Sequence, residues 1–362
     1  MKPSYLYNFE DVIVDVTSSF KKVKKNQYED NGKTPIIDQS KNDVCGYTNL
    51  KPKVNSLKPP YIIFGDHTRC FKFLTRDFIL GADGTKVLKA KIDADHRFLF
   101  YYLKFLKIEE AGYSRHFKFL KRFKIYLPPL VEQQRIARLL DSANNMLHLY
   151  KLSIRILDKL AQSMFIQMDK LATNKFKLNE ISEIKSGATP KSKKKEYWNG
   201  KICWATPREL NKLDDIFINT TLRKITSRAL KSCSASLLPI NSILFSSRAP
   251  IGHIAINTVP MTTNQGFKSF IVDKNIVEPI YLYYWLNHNR KFLQDMGVGA
   301  TFKELSKNLI SSIKIDLPDL SKQHIFVKKI NSLYKIKIDK KNIILKHLKL
   351  IASLQQQSFG IN

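Results

Sequence analysis

Cysteine is scarce: the chain has 4 in 362 residues, and Cys45, Cys70, Cys203 and Cys233 form no C-x-x-C pair. That spacing argues against a structural zinc site and makes buried thiols the expectation. Long apolar runs are missing as well. Nothing approaches the ~20 consecutive apolar residues of a membrane span, and the opening MKPSYLYNFEDV lacks an apolar signal core. A cytoplasmic protein with no membrane partner is therefore expected, and disulfides are not expected in that reducing compartment. Acidic residues are the third shortage, 31 Asp+Glu against 61 Lys+Arg, for a net charge of +30. The imbalance is not confined to a tail. Residues 1–127 hold 24 basic and 14 acidic side chains, and residues 175–317 hold 22 and 11. Two separately basic stretches are what two polyanion-binding modules would carry; a uniformly lysine-rich composition is the bland alternative.

Signatures of chemistry are equally thin. A methyltransferase needs an Asn/Asp-Pro-Pro-Tyr/Phe loop, and the nearest string, Lys58-Pro59-Pro60-Tyr61, has lysine where a carbonyl acceptor is required and no G-x-G turn beside it. A nuclease could use Glu183-Ile184-Lys185 as an E-x-K pair holding a metal, but that tripeptide is common by chance. Ser, His and Asp are scattered without a nucleophile elbow. No catalytic and no metal-binding residue is assigned.

What the chain does have is two long stretches with helical periodicity. From Pro128 to Lys170, steps of four and three land on Ile136, Leu140, Ala143, Leu147, Tyr150, Ile154, Leu157, Ala161, Met164 and Met168, every one apolar or aromatic. Such a stripe is a coiled-coil seam and must pack on a second helix. Pro128 and Pro129 suit a helix entry, and no glycine or proline interrupts the run, so it can be one rod. The partner is a repeat of the same segment. Leu127, Pro128, Leu130 and Gln133 recur 190 positions later as Leu317, Pro318, Leu320 and Gln323. The second stripe begins at Phe326, Ile330 and Leu333, meets Lys337, and is expected to resume after a four-residue stutter near Ile344 or Leu345, with Leu348, Ile351 and Phe359 following.

The two stretches outside the rods share a plan. Residues 12–16, 61–64, 78–80 and 86–88 are short β-prone runs separated by turn residues, followed by an aromatic helix over 97–106. Residues 242–245 and 253–256 are their counterparts, followed by a helix over 278–296. FLFYYL (98–103) answers YLYYWL (281–286), and Gly84 and Lys86 answer Gly266 and Lys268. Gly81 and Gly84 mark tight turns. Loops of the first stretch hold Gln39, Tyr47, His67, Arg69, Lys86, Arg115 and His116, which can donate to base edges or phosphates. In the second, Lys191, Lys193, Lys194 and Lys195 precede Tyr197 and Trp198, a mixture suited to following a phosphate backbone. For each of these residues a solvated loop position is the competing reading.

PPLVEQQRIARLLD after the first stretch, with SGATP, YWNG, SSRAPIG, TNQGFKSF and GATFKELSK in the second, resembles the specificity subunit of type I restriction-modification systems, over essentially the whole chain. The resemblance implies an α/β fold of α+β character. Two tandem target recognition domains, each a small twisted mixed sheet with helices, would be separated by two long antiparallel coiled-coil helices in pseudo-two-fold arrangement. It places these parts at residues 1–127, 128–170 (central helix), 171–317 and 318–362 (C-terminal helix). It implies that each domain reads one half of an asymmetric, bipartite double-stranded DNA target. The helices would dock two modification (methyltransferase) subunits in a complex that also holds restriction/translocase subunits. S-adenosylmethionine, ATP and magnesium are then expected on those partner subunits only. By resemblance Arg208, Arg248 and Gln265 join residues 191–198 on the DNA-facing side. A stand-alone DNA-binding regulator or scaffold is the other reading.

Overall fold

The structure is a computed structural model that describes residues 5–52, 57–81, 83–110, 112, 114–248, 250–297 and 304–360. Ala249 of SSRAPIG and residues 299–303 of GATFKELSK lie outside the described residues. The chain divides into two compact units. One runs to Lys151 and takes back the chain from Asn342, and the other is Leu152–Lys341.

The first unit opens with β1 (Leu6–Asn8), α1 (Phe9–Val12) and β2 (Ile13–Asp15). There follow β3 (Thr34–Ile37), β4 (Gly46–Thr48), β5 (Tyr61–Gly65), β6 (Phe71–Leu74), β7 (Ile79–Leu80) and β8 (Thr85–Ala90). The aromatic helix α2 (His96–Phe105), α3 (Phe117–Leu120) and β9 (Lys124–Tyr126) lead into α4 (Leu130–Asp169). β2-β8-β5-β6 form an antiparallel sheet, β4-β3-β7 a second sheet whose β3/β7 pair is parallel, and β1 closes on β9 with Leu6 opposite Tyr126. The short runs become strands because their apolar side chains find a core: all five residues of β5 are buried between β8 and β6.

The second unit repeats this order. β10 (Asn174–Lys177), α5 (Leu178–Ile181) and β11 (Ser182–Ser186) open it. Next come β12 (Trp198–Ala205), α6 (Pro207–Lys212), β13 (Phe217–Ile218), β14 (Lys224–Ile225), α7 (Ser227–Lys231), β15 (Ile243–Phe245), β16 (Ile254–Asn257), β17 (Met261–Thr263) and β18 (Lys268–Val272). α8 (Pro279–His288), α9 (Arg290–Asp295), α10 (Lys307–Ser311) and β19 (Lys314–Leu317) precede α11 (Leu320–Phe359). The sheets are β11-β18-β15-β16-β13, β14-β12-β17 with β12/β17 parallel, and β10 against β19. Strand for strand this is the topology of the first unit with β13 added at one edge. The expected single helix over 278–296 is broken at Asn289, whose backbone (φ −87, ψ 15) leaves the helical region and starts α9.

One buried amide in each unit explains why Gln133 and Gln323 recur. Gln133 accepts the Asp95 N–H at Oε1 (2.9 Å) and donates from Nε2 to the Pro128 carbonyl (2.7 Å). Gln323 accepts the Glu278 N–H (2.9 Å) and donates to the Pro318 (2.9 Å) and Ile276 (3.1 Å) carbonyls. Asp95 and Glu278 are the N-cap residues of α2 and α8. Each glutamine thus ties the first turn of a long helix to the first turn of an aromatic one. The aromatic helices are buried nearly all round, as a helix hydrophobic on every face must be. Phe98 and Tyr102 of α2 stack edge-on to Phe359 in the first unit. Tyr281 and Tyr284 of α8 surround Phe165 and Phe326 in the second.

In both units α4 and α11 pair antiparallel. Ile136 and Leu140 join the core that contains Phe359, and Ala143 and Leu147 pack on Ile351; Ala161 and Phe165 pack with Phe326 and Ile330. Ile154, Leu157 and Met164 are half-buried, and it is Phe165, 1% exposed, that anchors the seam beside Met164. The expected stutter is absent. Burial along α11 recurs at Phe326, Ile330, Leu333, Lys337, Lys340, Ile344, His347, Ile351 and Leu354 in unbroken steps of four and three, while Leu348 is exposed. The polar seam positions have partners: Lys337 meets Asp158 at 2.6 Å, and His347 Nε2 lies 2.9 Å from the Ala143 carbonyl. A long cationic stem can bury its methylenes and keep its head on a carboxylate.

All three tryptophans, Trp198, Trp204 and Trp285, belong to the second unit, which permits a selective test of the glutamine ties. Gln323→Leu strands a buried N–H and two carbonyls, a loss of about 1–3 kcal/mol for each unsatisfied group. It is expected to lower the urea midpoint seen by tryptophan fluorescence. Gln133→Leu is expected to leave that fluorescence transition in place and to destabilise only the part of the circular-dichroism transition that fluorescence does not see.

Candidate nucleic-acid interface

In the first unit the sequence candidates fall into two groups. Gln39 is consumed in holding loops together: Oε1 accepts the His67 N–H (3.1 Å) and Nε2 donates to the Asp83 carbonyl (3.0 Å). Gly84 has a positive φ of 89° and lies under that amide, where a Cβ would come within 2.6 Å of Nε2. Arg69 is ion-paired with Glu110 at 3.1 Å and donates to the Ile108 carbonyl (3.3 Å). Lys86 meets Asp15 at 2.8 Å and sits 5.0 Å over the Phe117 ring. His116 is 1% exposed, its Nδ1 2.9 Å from the Asp66 carbonyl. It is therefore a core histidine that no duplex can reach, a correction to its place among the loop donors. Tyr47 and His67 are half-buried and Arg115 is exposed.

In the second unit the basic residues gather on the lobe built by β14-β12-β17. Lys191, Lys193, Lys194 and Lys195 are all exposed on the approach to β12, with Lys194 lying 5.2 Å over the Tyr197 ring. Tyr197 is itself buried, in a cluster with Trp204, Ile225 and Ala229, so it supports the lobe from within. Residues 187–189 lie along 263–267, with Ala188 N–H on the Thr263 carbonyl and Thr189 hydrogen-bonded to Gln265. Gly266 sits beside Pro207 and Arg248, which sets the loops of Gln265 and Arg248 next to the first turn of α6, where Arg208 lies. Arg208 is exposed, whereas Arg248 is held by Glu304 at 2.9 Å, and Glu304 also meets the buried Lys268 at 3.5 Å.

Two residues that sequence reasoning missed, Trp204 and Arg223, complete this lobe. Trp198 is half-buried and serves as a platform, with the Arg223 guanidinium 3.8 Å from its ring centre and 4.8 Å from that of Trp204. The two indoles stand at 80° to each other. Nothing local in TTLRKI marks Arg223; the signal was the second tryptophan of the pair, which a break in β12 brings beside the first: Asn199 has φ 60°, and Trp198 and Ile202 both lie opposite Ile225. Glu183 and Lys185, the E-x-K pair, bind each other on β11. Among the described residues no group of three His, Cys, Asp or Glu is placed to hold a metal ion, and no helix is long and apolar enough to cross a membrane.

Charge is distributed so that several carboxylates are spoken for. Burial pushes the Asp15 carboxyl up, but hydrogen bonds from Lys86 and Thr17 outweigh it and hold Asp15 below the usual carboxylate range. A group depressed in the folded state contributes stability above its unfolded value, and that stability is lost as pH falls through the folded one. Asp15→Asn is therefore expected to lower stability at neutral pH. The gap to the parent chain should narrow below pH 3.8, the ordinary carboxylate value, in acid unfolding followed by circular dichroism.

The family model described as Type I restriction modification DNA specificity domain matches residues 11–156 and 172–350. The MjaIX type I restriction enzyme specificity subunit of Methanocaldococcus jannaschii is 40% identical over 149 residues, which cover 41% of this chain and 34% of the relative. The chain thus spans about a third of that protein. The EcoR124I/EcoR124II specificity subunit of Escherichia coli is 25% identical over 324 residues, covering 83% of this chain and 79% of the relative. Among solved structures, the S subunit of a type I restriction-modification system from M. genitalium superposes with a TM-score of 0.62 at 17% identity, over 98% of this chain and 95% of that one. That likeness concerns the fold.

Proposed function

The chain belongs to the family of type I restriction-modification DNA specificity domains, and from that membership we propose that it is the DNA-reading subunit of a type I complex, each unit addressing one half of a bipartite double-stranded target. The observation that carries the proposal is the repeated framework with unlike loops. β2-β8-β5-β6 and β11-β18-β15-β16 have one topology, yet the second unit adds residues 191–195 and the Trp198–Trp204 platform to it. Two copies of one framework with different loops read two different half-sites. Phosphate contacts from exposed lysines position each unit, and a few side chains on base edges specify sequence. α4 and α11 each pass through both units without a break.

Docking of two modification subunits is supported by apolar side chains that the helix pair leaves uncovered. Leu139, Met146 and Leu149 are exposed on α4 in the first unit, and Ile156 and Leu160 in the second. Exposed apolar residues in series along a helix mark an interaction face. In this reading the chain is non-catalytic. S-adenosylmethionine, ATP and magnesium, together with the methyl-transfer and cleavage chemistry, belong to the modification and restriction subunits.

The test is a map of methylated positions in host DNA with and without this chain. Exchange of residues 1–127 for another recognition domain is expected to change one half-site and leave the other; a change in both halves overturns the assignment of one reader per unit. Lys193→Gln with Lys195→Gln should weaken binding to all sequences alike and reduce the logarithmic salt dependence by about two, one for each phosphate that no longer meets a lysine.

A further inference from the structure

The turn at Leu222 and Arg223 is built as a reading head. Its backbone is held at three points. The Leu222 N–H donates to Glu209 Oε1 (2.7 Å), while Oε2 of the same carboxylate takes the Thr206 N–H (2.9 Å) and hydroxyl (3.0 Å). The Arg223 carbonyl accepts from the Trp204 N–H (3.2 Å) and from the Thr221 hydroxyl (2.6 Å). The Trp204 N–H also reaches Thr221 Oγ1 (3.0 Å). A turn tied in this way does not have to be ordered when a ligand arrives.

Its two side chains point to what that ligand is. The Arg223 guanidinium lies in the corner of two perpendicular indoles, which fixes its plane. Three other arginines spend their donors internally: Arg97 on Asp141, Arg69 on Glu110, Arg248 on Glu304. Among the described residues no carboxylate or carbonyl meets the Arg223 guanidinium, so a rigid fork of N–H donors faces outward. Beside it Leu222 is 88% exposed, the most exposed large apolar side chain in the described structure. One exposed leucine alone would mean nothing; on a pinned turn next to an oriented cation it supplies the apolar half of a base-edge contact. An oriented planar fork matches a pair of adjacent acceptors, which guanine offers as O6 and N7 in the major groove and phosphate offers as two oxygens. Both acceptors suit the fork; the exposed lysines of residues 191–195 on the same lobe already supply charge for phosphates, and the exposed Leu222 beside the fork suits a base edge rather than a phosphate.

We propose that Arg223, stacked on Trp198 and Trp204, reads a guanine in the half-site of the second unit, with Leu222 packed against the neighbouring base. The inference rests on the proposed DNA-reading function and names the residue that carries it. The experiment uses the full chain assembled with its modification subunit and maps methylated sites over randomised double-stranded DNA. Arg223→Lys keeps the charge and loses the fork. It is expected to relax discrimination at one base pair of one half-site by about tenfold to a hundredfold, with the other half-site unchanged as the internal control for folding. Trp198→Ala should relax that same position, because it removes the surface that orients Arg223. Leu222→Ala should affect the adjacent position. An equal loss over all sequences, with the logarithmic salt dependence reduced by about one, assigns Arg223 to a phosphate and overturns base reading. An unchanged site preference also overturns it. If the parent chain itself confers no sequence preference in either half, the DNA-reading function falls, and this inference falls with it.

Discussion

The structure depends on a hydrogen-bonding constraint that appears twice. The carbonyl of the proline that leads into each long helix needs a donor, and the N-cap N–H of an aromatic helix buried nearly all round needs an acceptor. Gln133 and Gln323 meet both demands with one side chain each, 2% and 0% exposed. The amide offers an acceptor and two donors in a fixed plane, so one side chain joins the start of a long helix to the start of an aromatic one. Apolar side chains then fill in around it: Phe98, Tyr102 and Phe359 in one unit, Phe165, Tyr281, Tyr284 and Phe326 in the other.

From that constraint follows the division of labour inside each unit. Residues nearest the long helices are apolar and repeat between units; those farthest from them, in loops, are polar and do not. A framework that is satisfied internally leaves its loops free to differ, and loops on a rigid scaffold are where recognition is placed. Lys86 and Lys268 show the boundary. Both are cations at equivalent positions, and both are paired with a carboxylate of the framework, Asp15 and Glu304. They belong to the scaffold. Arg223 and the exposed lysines of residues 191–195 meet no carboxylate among the described residues, and they differ between units because nothing in the core requires them.

Legibility in the sequence tracked the range of the interaction. The long helices could be read because their seam repeats every few residues over forty, and the aromatic helices because six consecutive apolar positions leave no polar face. The small β14-β12-β17 lobe could not. Its strands are two to eight residues long and pair across wide separations, Cys203 with Met261 and with Lys224. The seam of α11 misled in the opposite sense. Lys337 looks like a break in an apolar stripe, which suggested a stutter, but Asp158 accepts it in place, and His347, one of the polar residues of the unbroken seam, meets the Ala143 carbonyl. His116 likewise resembles a loop donor in the sequence, and only the fold sets Asp66 beside it.

The amino-acid sequence by itself determined the basic charge of both stretches, the presence of two related units and the two long helices, since charge, repetition and periodicity are properties that any stretch displays before it folds. Only the tertiary structure decided which polar side chains are spent inside and which remain available. A histidine, a glutamine or an arginine has the same formula in either setting, and the difference lies in whether a partner from a distant part of the chain satisfies its hydrogen bonds. Gln39 and His116 are satisfied in that way; Arg223 has been given two indole faces to lie against and keeps its donors for something else.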